Sequence, residues 1–295
     1  MRPGAEGIEP ASRPIGTLYV VATPIGNLED MTYRAVRVLG EVDLVAAEDT
    51  RSARFLLSHY GIERPLVAVH DVNEGERAEA LAERLARGES IALVSEAGTP
   101  GVSDPGFRVV RAAIAAGAPV VPLPGASAVL AALVASGLPT DRFVFIGFPP
   151  RRQGKRQEAF GKLRTEPATM VLYEAPGRVG ETLADLVICL GPGRPAVVAR
   201  ELTKRFEEHA RGTLGELAAQ YRDQAPRGEV TIVVGGAPDG PGETVDLEAE
   251  VDAALARGEG PKEIAATLAA RTGTPRRTIY QLALARRSRL SRGEG

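Results

Sequence analysis

The chain has 295 residues, 44% hydrophobic and 25% charged, with a formal net charge of −2 at pH 7. That length suggests two or three domains of ordinary globular composition, and near-neutrality excludes any global attraction to nucleic acid, leaving only local patches. One cysteine excludes an internal disulfide, and aromatics at 4% without tryptophan argue against a stacking platform for single-stranded nucleic acid.

Residues 1–14 are rich in Pro, Gly and charge and lack the apolar centre of a signal peptide, so they read as the flexible tail of a cytoplasmic protein. No apolar run approaches the roughly 18 residues of a membrane span. Short apolar runs predict strands at 18–22, 43–47, 65–69, 91–94 and 120–121. Helical spacing predicts helices at 32–39, 55–60, 78–85, 109–116 and 126–136, with Gly61 and Gly88 as stops. Strict alternation of strand and helix is the pattern of a parallel α/β sheet.

The GLPT run at 137–140 breaks this pattern and marks a domain boundary. Beyond it, strands are predicted at 143–146, 169–173, 196–199 and 230–234, and helices at 157–163, 178–190 and 214–221. Cys189 lies in an apolar run and reads as core. A Gly/Pro-rich linker follows at 235–242. Residues 247–292 read as three short helices with a helix-turn-helix character, Thr274 capping the last helix and Pro275 opening it. The domains are therefore expected at 15–137, 138–236 and 247–295, joined by a linker at 237–246.

Three loops of the first domain, at 23–30, 94–106 and 122–128, each follow a strand and are rich in Gly and Pro. Parallel strands deliver such loops to one edge of a sheet, where ligands bind. Neither the dinucleotide G-x-G-x-x-G spacing nor a P-loop is present. Gly98, Gly101 and Gly106 open the backbone to a ligand, and Asp104 either accepts hydrogen bonds from it or caps the following helix. Glu48 with Arg51, and Glu201 with Lys204, follow strands as acid–base pairs, either site groups or surface ion pairs. His59, His70 and His209 lack metal-ligand spacing and no carboxylate cluster suggests a divalent ion, so no metal is expected. His70 ends a strand and is the histidine best placed for a site. A basic loop holds Arg151, Arg152, Lys155 and Arg156. The C-terminal end adds Arg271, Arg276, Arg277, Arg286, Arg287, Arg289 and Arg292. Both patches suit RNA phosphates and would position an RNA without reading its bases.

Seven runs taken in order resemble one family: TPIGNL at 23–28, EDTR at 48–51, SEAGTP at 95–100, SDPG at 103–106, PGASA at 124–128, YEAP at 173–176 and RELTK at 200–204. That family is ribosomal RNA small subunit methyltransferase I, the RNA-modifying branch of the tetrapyrrole methylases. The likeness covers residues 16–235, and the C-terminal helices resemble a small domain of many members. Glu96, Val72, Gly177 and Pro149 depart from the residues usual there, so no histidine at 72 or 177 carries chemistry.

The resemblance implies two α/β domains with an S-adenosylmethionine cleft between them, plus the helical domain. It implies methylation of the ribose 2′-hydroxyl of cytidine 1402 in 16S rRNA of the small ribosomal subunit, by a homodimer. By motif position, the cofactor is expected at Pro24, Gly98, Thr99, Val102, Asp104, Ser127 and Ala128, and at Tyr173, Ala196, Val230 and Thr231. Glu48, Arg51, Glu174, Glu201 and Lys204 are expected on the RNA side. There an acid or Lys204 takes the ribose proton and Arg51 holds a phosphate. The competing readings are a methylase of a porphyrin-like macrocycle and a non-catalytic RNA-binding assembly factor.

Overall fold

The computed structural model describes residues 14–238, 247–272 and 274–292. Residues 1–13 of the expected tail, 239–246 of the expected linker and Gly273 of the expected turn lie outside the described residues. The chain divides into two compact units. The first runs to Ala131 and takes in Leu202–Arg205, and the second holds Ala132–Glu201 and Phe206 onward.

The first unit is built on β1 (Leu18–Val21), β2 (Leu44–Ala47), β3 (Leu66–Ala68), β4 (Ile91–Val94) and β5 (Val120–Leu123), in the order β3-β2-β4-β1-β5 with every neighbouring pair parallel. β2 and β4 are buried at all four positions, as strands covered on both faces must be. Alternate side chains enter different cores: Leu44, Ala46, Ile91 and Leu93 on one face, Val45, Ala47, Ala92 and Val94 on the other. β4 sits between β2 and β1, so the loops after β1 and β4 leave the sheet side by side.

The crossovers are α1 (Tyr33–Glu41), α2 (Thr50–His59), α3 (Glu74–Ala86) and α4 (Phe107–Ala115), and α5 (Ala128–Ser136) leads out of the sheet. α2 starts at Thr50, five residues before the apolar spacing suggests, because Asp49 caps it by accepting from the Arg51 N–H. Only Glu48 therefore stands at the strand end, and Arg51 belongs to the first helical turn.

The second unit carries β6 (Phe143–Gly147), β7 (Thr169–Glu174), β8 (Pro195–Arg200), β9 (Glu208–Thr213) and β10 (Val230–Val234), in the order β6-β7-β10-β8-β9. β6 and β7 are parallel and the other neighbours antiparallel. The sequence pattern gives no hint of β9. Its run EHARGT is exposed or half-buried throughout and is an edge strand held by its six-pair ladder to β8. The helices are α6 (Gln153–Gly161), α7 (Val179–Leu190) and α8 (Leu214–Gln220), the last opened by a Thr213/Glu216 capping box. Cys189 is half-buried, and burial pushes its thiol up from the ordinary value. Then follow α9 (Leu247–Ala256), α10 (Pro261–Thr272) and α11 (Arg276–Arg292), packed around Val251, Ile264, Leu268, Ile279 and Ala283. No described helix is long and apolar enough to cross a membrane.

Two basic residues are not where an RNA contact needs them. Arg156 is only 1% exposed: it pairs with the equally buried Asp185 at 2.6 Å and with Glu181 at 3.5 Å. Gln157 donates to Asp185 as well, at 2.7 Å. A buried guanidinium stays charged only with such partners, so Arg156 fastens α6 to α7. Arg286 is tied to Glu248 and Asp252 at 3.0 and 2.8 Å and joins α11 to α9. Replacing Arg156 with Met leaves Asp185 buried and unpaired. The expected loss is about 3–5 kcal/mol in urea unfolding, partly recovered in the Arg156→Met/Asp185→Leu double variant.

Candidate active site

The three loops of the first unit meet. Thr23 and Gly98 exchange both backbone hydrogen bonds, at 2.8 and 3.0 Å, as an isolated antiparallel bridge between the loops after β1 and β4. Thr99 Oγ1 donates to the Ala126 carbonyl at 3.4 Å, bringing in the loop after β5. A Cβ at Gly125 would lie 2.9 Å from that of Ala22, so only glycine lets this loop lie against the end of β1. The first unit's own piece of the 200–204 motif closes on the same place. A Cβ at Gly26 would fall 2.5 Å from Cγ and Cε of Lys204, whose aliphatic stem lies across that glycine. Pro24, Gly98, Thr99, Ser127 and Lys204 are thus gathered in one set of loops.

Beside them stand carboxylates. Burial raises Glu48 above the ordinary range, against the Glu96 N–H that donates to it at 3.3 Å, and the charges of Glu96, Asp71 and Asp49 raise it further. Asp104 is pushed up to about 6, first by burial and then by the charge of Glu48, opposed by a hydrogen bond from Ser95. Asp104 does not cap α4. That work is done by Glu74, a buried residue whose Oε1 accepts from the N–H groups of Gly106 and Arg108 at 2.8 and 2.9 Å. Glu74 is 32 and 34 residues from these partners, and no local pattern announces it. A cavity of about 780 Å³ opens here, edged by Thr23, Pro24, Arg51, Phe55, Ser95 and Glu96. The Arg51 side chain is 90% exposed and held by Asp49 at 3.1 Å. Val102 is exposed on the 98–106 loop, and Ala128 opens α5. His70 is exposed, its backbone N–H bonded to Asn73.

Backbone strain concentrates in the same motifs. Among the described residues, the only non-glycines with positive φ are Ser103 (65°), Glu201 (50°) and Thr203 (66°). A β-branched residue in the left-handed region costs about 1–3 kcal/mol and persists only where its surroundings over-determine it.

In the second unit the expected set separates. Tyr173 and Thr231 are register partners on β7 and β10. Ala196 pairs instead with Val234, at the other end of β10, and Ala196 and Val230 belong to the apolar core under the helices. Their side chains are packing groups. Glu174 is also corrected: at 2% exposure it accepts from Thr182 Oγ1 at 2.6 Å and from the Ala175 N–H at 2.8 Å, and pairs with Arg178 at 3.3 Å. A buried carboxylate must be satisfied in this way. Arg178 in turn donates to the carbonyls of Pro149 and Pro150. Glu174 therefore anchors the loop that presents Arg151 and Arg152 and leads into α6, where the expected basic loop has become helix and carries Lys155; all three are exposed. Glu201 accepts from the Glu229 N–H at 3.1 Å. Arg276, Arg277 and Arg287 are exposed on α11.

Such strand-end loops on a parallel sheet, joined to a mixed five-stranded sheet, define a class. Residues 17–218 match the family described as Tetrapyrrole (Corrin/Porphyrin) Methylases. The fold recurs at a TM-score of 0.56 in the methyltransferase CobJ, 23% identical and covering 75% of this chain and 95% of that one. It recurs at 0.51 in uroporphyrin-III C-methyl transferase from Thermus thermophilus complexed with S-adenyl homocysteine, 22% identical over 74% and 97% of the two chains. Ribosomal RNA small subunit methyltransferase I of Xylella fastidiosa is 48% identical over 267 residues, 90% of this chain and 98% of that protein. The Pseudomonas aeruginosa protein of the same name is 48% identical over 281 residues, 93% and 99% of the two. The chain belongs to the ribosomal RNA small subunit methyltransferase I family within the tetrapyrrole methylases, and it is a methyltransferase.

Asp104 offers a pH test of this geometry. Its folded value lies above the unfolded one near 3.8, so the folded state holds the proton more tightly and stability falls as pH rises from about 4 through about 6. Asp104→Asn removes that loss. It is expected to melt higher than the parent above pH 6, with the gap closing below pH 4. A thermal unfolding series that finds no such pH-dependent gap counts against the buried carboxylate group.

Proposed function

We propose that this chain transfers a methyl group from S-adenosylmethionine to the ribose 2′-hydroxyl of a cytidine in the 16S rRNA of the small ribosomal subunit. The names of its relatives support small-subunit rRNA as substrate; the 2′-oxygen and the cytidine come from the motif resemblance. The observation that carries the reading is the meeting of the loops at Thr23, Gly98 and Gly125 beside Glu48 and Asp104.

These residues fit the donor. Ionised carboxylates around Glu48, Glu96 and Asp104 favour a sulfonium cation. Phe55 and Leu56 offer an apolar wall, and the cavity of about 780 Å³ lies within the range of small-molecule sites. Of the expected donor residues, Pro24 lines that cavity, and Gly98, Thr99, Val102, Ser127 and Ala128, on the loops bonded to its edge and the start of α5, would hold the donor with it in the first unit. When bound, it supplies an electrophilic methyl group on sulfur.

The chain must align the ribose oxygen with that methyl and take its proton. Glu48, whose raised value makes its carboxylate a stronger base, and Lys204 in its neutral form are the candidate acceptors. Arg51, oriented by Asp49, holds a phosphate of the RNA. Arg151, Arg152 and Lys155, with Arg276, Arg277 and Arg287, supply further phosphate contacts, and residues 247–292 act as an RNA-binding domain. In this reading the protein works in the cytoplasm as a homodimer, for which the exposed Leu130 and Val134 of α5 offer apolar surface.

Radiolabelled methyl transfer to small subunits, with porphyrin precursors in parallel, tests the proposal. Label in 16S rRNA at a cytidine ribose is the expected result. Label in the macrocycle overturns it in favour of a tetrapyrrole methylase, and label in neither overturns it as well. Lys204→Ala and Glu48→Gln assign the base. The true acceptor should lose about 10²–10⁴-fold in kcat at unchanged donor affinity. If both variants turn over at the parent rate, neither group takes the proton.

A further inference from the structure

A second cavity, of about 490 Å³, lies in the second unit, lined by the end of β8, the start of β9 and the segment after α8. Four charged groups edge it, Arg200, Glu201, Glu208 and Arg227, and their formal charges cancel. Arg200 and Glu208 pair directly at 2.6 Å, and Glu201 is bonded to the Glu229 N–H. The lining also holds two amides, Gln220 and Gln224, and two aromatics: Phe206, which is 65% exposed, and Tyr221, which is only 8% exposed and packed into the apolar core.

This composition selects its ligand. A bare phosphate, or the carboxylates of a porphyrin-like macrocycle, finds no net positive charge to meet it. A neutral, flat, hydrogen-bonding heterocycle finds a π-face on Phe206 and, in each amide, both donors and an acceptor for its edge. With Tyr221 buried, Phe206 alone offers an exposed ring, which makes a seat for a single base rather than a platform.

We infer that this cavity receives one unpaired base of the substrate RNA, stacked on Phe206, met at its edge by Gln220 or Gln224, with Arg227 on the adjoining phosphate. The inference rests on the reading of the substrate as RNA and deepens it. It adds a specificity site outside the loops that hold the donor. Base recognition in single-stranded RNA generally uses this combination of an aromatic face with amide or guanidinium partners.

Two readouts on the full-length protein test it. One is the KM for small subunits in methyl transfer. The other is fluorescence of a short single-stranded oligoribonucleotide carrying one 2-aminopurine, which stacking quenches. Phe206→Ala is expected to raise the RNA KM about tenfold, within what one base–aromatic stack supplies. Its kcat and S-adenosylmethionine affinity should stay within twofold of the parent, and quenching should be lost. Phe206→Tyr should retain the parent values. Should Phe206→Ala melt early, Gln224→Ala replaces it, with KM expected to rise about threefold for one lost hydrogen bond.

If the parent methylates small subunits and the variants match it in KM and quenching, the base site is wrong while the activity stands. If the parent methylates no RNA, the underlying reading fails. Quenching then decides the cavity alone: a parent signal lost in Phe206→Ala supports it, and equal signals overturn it.

Discussion

The paired hydrogen bonds between Thr23 and Gly98 are the constraint on which the first unit's site depends. They join two loops that a parallel sheet cannot join through its strands, because the ladder ends where the loops begin. Once that bridge is made, Ile25 lies against Gly98, Ser95 Oγ reaches the Gly98 carbonyl, and Gly125 closes against Ala22. Each contact requires a small residue or a bare backbone at one particular place. The glycines of these loops therefore reflect close approach of one strand end to the next more than freedom in any one turn.

Electrostatics follow from the same convergence. Strand ends that crowd together bring Glu48, Asp71, Glu96 and Asp104 into mutual range, and burial removes the water that would screen them. The result is a local negative field in a chain with almost no net charge. Such a field suits a sulfonium cation and repels RNA phosphate. Arg51 and Lys204 lie beside it, and the remaining basic patches are Arg151 and Arg152 with Lys155 of α6, and the arginines of α11. Donor and polyanion thus call for opposite fields, and the exposed arginines at 151–152 and on α11 come from parts of the chain far in sequence from the acidic strand ends.

The second unit uses buried charge to fasten rather than to react. Asp185 holds Arg156, and Glu174 holds Arg178, which holds the two carbonyls ahead of the basic loop. These groups share residue types with a catalytic set, and burial distinguishes them. An acid at 2% exposure with every oxygen bonded stabilises its neighbours. An acid such as Glu48, half-buried and raised first by burial and then by neighbouring carboxylates, retains a reason to bind a proton.

Local pattern was enough for the parallel sheet, the alternation of its helices, the Gly- and Pro-rich loops and the C-terminal helices, because periodicity and turn chemistry act within a few residues. The order of motifs was enough for the family. Tertiary structure decided what depends on distant partners. β9 exists only through its ladder to β8, and Glu74 caps a helix more than thirty residues away. Arg156 and Glu174 are buried although their neighbours in sequence are polar or exposed, and Ala196 and Val230 face the core. Sequence carries the type of each side chain and its local spacing. Which water-soluble group is taken out of water is settled only when remote elements pack, since desolvation is a property of the assembled fold.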